Sequence, residues 1–140
     1  MSSILPAVVS ILKNDAGVQL ACSSRVYADV MPEDVEKPAI LLYTTSEDAE
    51  DCLGGFIGFE NARLRIEAYG LTRGSAEDTM ESARQALNGL IGTFEGVPIK
   101  GISQATGKMH VVDIPNDGTD RWQFRTIQSF EISYNSFQGT

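Results

Sequence analysis

The clearest pattern of hydrophobic and polar positions runs from Ala62 to Leu90. In Ala62-Arg63-Leu64-Arg65-Ile66-Glu67-Ala68-Tyr69, the apolar Leu64, Ile66 and Ala68 alternate with Arg63, Arg65 and Glu67, while Tyr69 is amphipathic. This period of two predicts a strand buried on one face. Gly70 and Gly74 bracket the turn Leu71-Thr72-Arg73, after which Ser75 is placed to cap a helix, with Glu77 and Asp78 near its positive end. Ala76, Met80, Ala83, Leu87 and Leu90 then recur in steps of four and three, which predicts one buried helical stripe. Asn88 and Gly89 begin to fray this helix and Gly92 stops it.

Upstream, Ser2 or Ser3 caps a short helix with Pro6 in its first turn and Leu5, Val8, Val9 and Leu12 on its apolar face. Asn14-Asp15-Ala16-Gly17 ends it, and a brief strand follows at Arg25 to Val30. Pro38 leads a nearly continuous apolar strand, Ala39 to Thr44, that is expected to be covered on both faces. From Ser46 to Gly58 the pattern vanishes into Glu47-Asp48-Ala49-Glu50-Asp51 and then Cys52-Leu53-Gly54-Gly55-Phe56-Ile57-Gly58. This reads as a long, flexible hairpin loop, of a length that is usually functional or disordered. Leu53, Phe56 and Ile57 in it either dock on a partner or fold back as a cover over the core.

Downstream, Gly96 to Ile102 reads as a short strand, Gly107 interrupts Gln104 to Asp113, and Pro115-Asn116-Asp117-Gly118 is a turn. The longest strand is expected over Arg121 to Tyr134, with Trp122, Phe124, Phe130, Ile132 and Tyr134 sharing one parity and Arg121, Gln123, Arg125, Ser129, Glu131 and Ser133 the other. Residues 135–140 form a tail with little to order it. Short strands, hairpin-length links and two helices predict an α+β fold, a single antiparallel sheet with both helices on one face.

Composition narrows the functions. At 140 residues and 42% hydrophobic, the chain supports one domain, spanning 1–140. A net charge of −8 argues against general nucleic-acid binding and against docking on anionic lipid. The apolar run from Ile4 to Leu12 is broken by Pro6 and lacks both a basic flank and the length of a span, so neither an export signal nor a membrane segment is expected. Cys22 and Cys52 lie in unlike contexts and read as unpaired thiols in a reducing compartment.

No catalytic constellation emerges. His110 is the one histidine, with no nucleophile at a recognisable elbow, and reads as structural. The acids at 47–51 lack the spacing of a calcium loop, so no metal or cofactor is expected. Glycines and a helix start at Gly70 to Ser75 suit an anion, but Glu77 and Asp78 would repel it. More informative are the polar faces of the two best strands: Arg63, Arg65 and Glu67 on one, Arg121, Arg125 and Glu131 on the other. They form either a solvated sheet face or a subunit interface, where arginine pairs bidentately with carboxylates. Residues 29–51 carry eight carboxylates, among them Glu47, Asp48, Glu50 and Asp51, against Lys37 alone, a net of −7. An acidic edge and an arginine-bearing face on one chain suggest head-to-tail association into a ring.

The combination of an N-terminal helix, the proline-led strand Lys37 to Tyr43, the arginine-bearing strand running into Tyr69-Gly70-Leu71-Thr72, the helix segment Ala83-Arg84-Gln85-Ala86-Leu87 and a late aromatic strand ending near Tyr134 resembles the small tail-completion proteins of long-tailed bacteriophages, the tail terminator or head-tail joining group. The resemblance covers roughly Ile4 to Tyr134. It implies a non-enzymatic virion protein, made in the host cytoplasm, that forms a hexameric ring capping the tail tube and meeting the head connector. DNA would pass through its lumen without specific binding. Another head-completion or minor tail protein, or a small α+β ligand-binding domain or enzyme, remains the alternative.

Overall fold

In a computed structural model, the structure describes residues 4–32, 35–52, 55–113 and 123–135, and for 47–52, 55–59 and 113 the backbone course alone. These residues form helices α1 (Leu5–Asn14), α2 (Ala16–Cys22) and α3 (Arg73–Leu87) and strands β1 (Val26–Ala28), β2 (Ala39–Cys52), β3 (Gly55–Gly70), β4 (Gly92–Phe94), β5 (Val97–Gln104), β6 (Met109–Asp113) and β7 (Gln123–Asn135). The α+β class stands, with two differences from the sequence-based expectation. The described residues form three helices, and the strongly curled sheet is mixed.

The extra helix arises at Asp15. Its Oδ2 accepts from the Val18 amide at 3.0 Å, so the residues expected to end one helix cap the next, burying Val18 and Cys22. The mixed character comes from β1, which runs parallel to β2 with Val26 opposite Ile40. Sheet order is β1-β2-β3-β7-β5-β4, and β6 shares with β5 the outer edge of β7. β5 pairs with Phe130 to Tyr134, β6 with Gln123 to Ile127.

Parity assigns the core. Ile40, Leu42, Ala62, Leu64, Ile66, Ala68, Phe130, Ile132 and Tyr134 are all buried on one sheet face, and Leu64 faces Phe130 across the β3–β7 pair. The helices cover this face: Ile4, Val8 and Leu12 from the first helical region and Ala76, Met80, Ala83 and Leu87 from α3 belong to the same cluster. The α3 stripe is therefore as the sequence implies. Its cap is one turn earlier, because Thr72 rather than Ser75 fills that role, with Thr72 Oγ1 accepting from the Ser75 amide at 3.1 Å. The α1 cap position is Ile4, without a side-chain bond, while Ser2 and Ser3 lie outside the described residues.

The largest correction concerns Ser46 to Gly58. Instead of a loop, the described residues there continue β2 and β3, with Glu47 opposite Ala62, Asp48 opposite Asn61, Ala49 opposite Glu60 and Asp51 opposite Phe56. The register shift between Thr44 and Ser46 adds one residue to β2, which inverts the period-two pattern that would have revealed it, and between Ala49 and Asp51 β3 carries two residues more than β2. The short β4, which pairs Gly92 to Phe94 with Val97 to Ile99, was likewise hidden in a segment too brief to show a period. The expected C-terminal tail beyond Asn135 lies outside the described residues.

Candidate assembly surfaces

With the helices on one face, the odd-numbered side chains of β3 and β7 occupy the other, so the two polar strand faces do belong to neighbouring strands. Glu67 is the centre of that face and is 4% exposed. Its Oε1 accepts from Arg125 Nη1 at 2.8 Å and from the Tyr69 hydroxyl at 3.0 Å, and its Oε2 accepts from the Tyr43 hydroxyl at 2.6 Å. Arg65 Nε stands 3.5 Å from Oε2. Each guanidinium also lies 5.9 Å from a ring centroid, Arg65 over Tyr43 and Arg125 over Tyr69. Burial by itself would raise the Glu67 pKa, but the hydrogen bonds from Tyr43, Arg125 and Tyr69, with the Arg125 charge, outweigh it and hold the carboxyl below its ordinary value. Burial, reinforced by the Glu67 charge, pushes the Tyr69 hydroxyl up to about 12.

Farther along the same pair of strands, Arg63 Nη2 meets Glu131 Oε1 at 3.4 Å and the Ser133 hydroxyl donates to Asn61 at 2.5 Å. Arg63 and Glu131 are both exposed, so this pair stabilises little. The structure thus brings together Arg63, Arg65, Glu67 and Arg125 and pairs each within the chain. It places Glu47, Asp48, Glu50 and Asp51 on β2 and Phe56 and Ile57 on β3, at register positions toward the tip of the hairpin. Arg121 and Leu53 lie outside the described residues. Sequence reasoning missed Tyr43 and Tyr69 as ligands of Glu67. The signal was available in the parity of Tyr69, which matches Arg65 and Glu67, but Tyr43 sits in an apolar run that masks its role.

Two further features border this face. The β2–β3 hairpin outruns the sheet: β7 accompanies β3 only as far as Phe59, and β1 accompanies β2 only from Ile40 to Leu42. What remains beyond is a two-stranded ribbon, a structure of marginal stability alone in water. At the opposite side of the sheet, Gly89, Ile91, Lys100, Gly101, Ser103, Glu131 and Ser133 line an open groove of about 440 Å³. Ile91 is 71% exposed there.

On the helical side, Glu81 of α3 receives Arg84 and Lys108, the latter at 2.8 Å, and these hydrogen bonds hold its pKa down to about 2. His110 Nδ1 is 3.2 Å from Thr126 Oγ1 and its Nε2 is 3.6 Å from Glu77, so the histidine links β6, β7 and α3. Among the described residues no group of three or more His, Cys, Asp or Glu is placed to hold a metal ion. No described helix is long and apolar enough to cross a membrane.

Comparison with known proteins follows the same direction. No curated protein matches the sequence. A chain in the solved virion of a native gene transfer agent particle has the same fold, with a TM-score of 0.69 at 16% identity and 96% of each chain covered. The family model for Tail completion protein gp17 matches residues 6–124. That span is most of the molecule, from α1 to the start of β7, and the chain accordingly belongs to the Tail completion protein gp17 family, structural proteins of phage-like virions and not enzymes.

Proposed function

We propose that this chain closes the end of a completed tail tube as a hexameric ring and joins it to the head connector. The observation that carries the reading is the end of the β2–β3 hairpin, where Asp51 pairs with Phe56 and Cys52 with Gly55 beyond the last β7 partner at Phe59. It extends past the sheet that should support it, and a two-stranded element of this kind gains its stability from another surface. A neighbouring subunit or the tube protein supplies such a surface in a ring and not in an isolated monomer. Arg63, Arg65, Glu67, Arg121 and Arg125 on the open face, with Glu47, Asp48, Glu50, Asp51, Leu53, Phe56 and Ile57 on the hairpin, are the proposed assembly residues.

The net charge of −8 also suits a passage for DNA, because an acidic lumen does not grip phosphates. The likeness to a chain of a gene transfer agent virion supports a place in a particle of this kind.

The test is to replace residues 50–59 by Asn-Gly, which returns the hairpin to a tight turn between Ala49 and Glu60. The shortened chain should unfold at nearly the same urea concentration as the native one, while heads and tails accumulate unjoined in a complementation assay. A normal yield of joined particles would overturn the role given to the ribbon.

A further inference from the structure

An uncovered sheet edge offers main-chain groups to an incoming strand, and most edges of this sheet are closed in one way or another. β1 is three residues long and its flanks turn back on themselves, the Val26 amide donating to Ser24 O at 2.8 Å and the Val30 amide to Ala28 O at 2.7 Å. β2 beyond Leu42 has no β1 beside it, but that stretch carries Glu47, Asp48, Glu50 and Asp51, which would repel their counterparts in a second copy. β4 covers β5 from Val97 to Ile99, and past it the Gly89 amide donates to Ile102 O at 2.9 Å. β6 differs from all of these. It pairs with β7 on one side, and among the described residues no strand lies on the other. Met109 is 58% and Val112 50% exposed there, on opposite faces of the strand. α3 packs over β3 and β7 and meets β6 and the residue before it through side chains, Glu77 with His110 and Glu81 with Lys108, so it does not cover this edge.

The segment Lys108-Met109-His110-Val111-Val112-Asp113 is complementary to itself when reversed. It has a cation before one end, an anion at the other and apolar residues between, so an antiparallel copy sets unlike charges together and a parallel copy sets like charges together. We propose that β6 of one copy pairs antiparallel with β6 of a second, joining the two sheets edge to edge in a twofold dimer. Twofold symmetry requires one residue to lie opposite itself, and centring on Val111 uses the whole strand. His110 then lies opposite Val112 on the helix side, and Met109 opposite Asp113 on the other, with Lys108 next to that Asp113. Lys108 already reaches Glu81 at 2.8 Å, but an ammonium has three donors and takes a second carboxylate without leaving the first. The pairing also covers the exposed Met109 and Val112. A twofold contact has no place in a ring whose copies all face one way, so the dimer is the form of the chain before it joins a tail.

Sedimentation velocity of the full chain over a concentration series tests this. The native chain should pass from monomer to dimer. Val111→Lys, which sets two ammonium groups opposite each other across the axis, should dimerise at least about tenfold more weakly. Thr93→Lys, the same change on the short edge strand β4, should stay within about threefold of native. A second measurement does not depend on how well Val111→Lys folds. In a Cys52→Ser chain, where the buried Cys22 is the one native thiol left, Val111→Cys should form disulfide-linked dimers in oxidised glutathione, because residues opposite each other across an antiparallel pair are within disulfide reach. Thr93→Cys in the same chain should remain largely unlinked. The proposal is overturned by a native chain that sediments as a monomer throughout, by Val111→Lys associating within about threefold of native, or by Val111→Cys linking no more than Thr93→Cys. None of these readouts involves the joining of heads to tails, so the tail role is judged separately by the shortened hairpin.

Discussion

Arg125 Nη1 donates to Glu67 Oε1 at 2.8 Å, so a guanidinium on β7 is tied to a nearly fully buried carboxylate on β3. The two strands form the middle of the sheet, and the pair joins them on the side away from the helices. Removing the carboxylate leaves two guanidinium groups and two tyrosine hydroxyls without their common acceptor. Glu67→Ala is expected to lower stability by roughly 2–3 kcal/mol, below the full cost of breaking a buried pair because Arg125 retains some access to water. Urea denaturation measures this, and a loss within the error of the method would mean that the cluster is incidental to the fold.

The same cluster sets a pH dependence. The folded chain holds the Glu67 pKa below its ordinary value of 4.5, so in acid the unfolded chain binds the proton first and stability falls as pH drops through that value and below it. Tyr69 acts at the other end. Its hydroxyl is raised from 10 to about 12, so the folded chain keeps a proton that the unfolded one has lost, and stability falls as pH rises between those values. Thermal midpoints against pH should show a weaker acid limb in Glu67→Gln and a weaker alkaline limb in Tyr69→Phe.

Two glycines at the start of α3 are expected to respond in opposite directions. A Cβ on Gly70 would stand 2.7 Å from the Ala76 amide nitrogen, a backbone atom fixed by the helix, so Gly70→Ala should destabilise the chain. Around Gly74, inside the first turn, a Cβ meets nothing within 4 Å, and Gly74→Ala should stabilise by about 0.5–1 kcal/mol through helix propensity. Chemical denaturation of the two single variants decides the point, and equal effects would contradict it.

The N-terminal cap of α3 gives a smaller test. Thr72→Ala removes the acceptor for the Ser75 amide and should cost about 1 kcal/mol. Ser75→Ala should cost less, because its side chain does not fill the cap position. A reversed order, read from urea midpoints, would return the cap to Ser75.

In the core, Leu64 and Phe130 face each other across β3 and β7 with no exposed surface. Phe130→Ala should cost about 3–5 kcal/mol and Leu64→Ala about 2–5 kcal/mol, with the double variant departing from additivity because the two cavities merge. Additive losses would indicate that the side chains are not in contact.

The sequence makes the fold legible where one residue in two or one in three or four is buried without interruption. Leu64, Ile66 and Ala68, the α3 stripe and the aromatic parity of β7 all follow from this, whereas the pairing of β3 with β7 is given by the structure alone. The ribbon was illegible because the bulge near Thr45 shifts its phase, and four acids in five residues look like solvated loop. The parallel pairing of β1 rests on only three residues, too few for a period to speak. Asp15 served equally as a helix stop and a helix cap in the sequence, and only the Val18 amide distinguishes them. Of the candidate surfaces, the charged positions were visible. The convergence of Tyr43 and Tyr69 on Glu67 depends on cross-strand register, which no single strand reveals.

The position of β7 has a consequence for when the molecule exists at all. It is the last of the seven described strands to leave the ribosome, yet it stands between β3 on one side and β5 and β6 on the other. Until it is made, the earlier strands have no common partner, and both the Glu67 cluster and the Glu131 side of the groove are missing. A growing chain therefore holds β3, β5 and β6 without the strand that joins them, and its sheet is completed only when β7 is made.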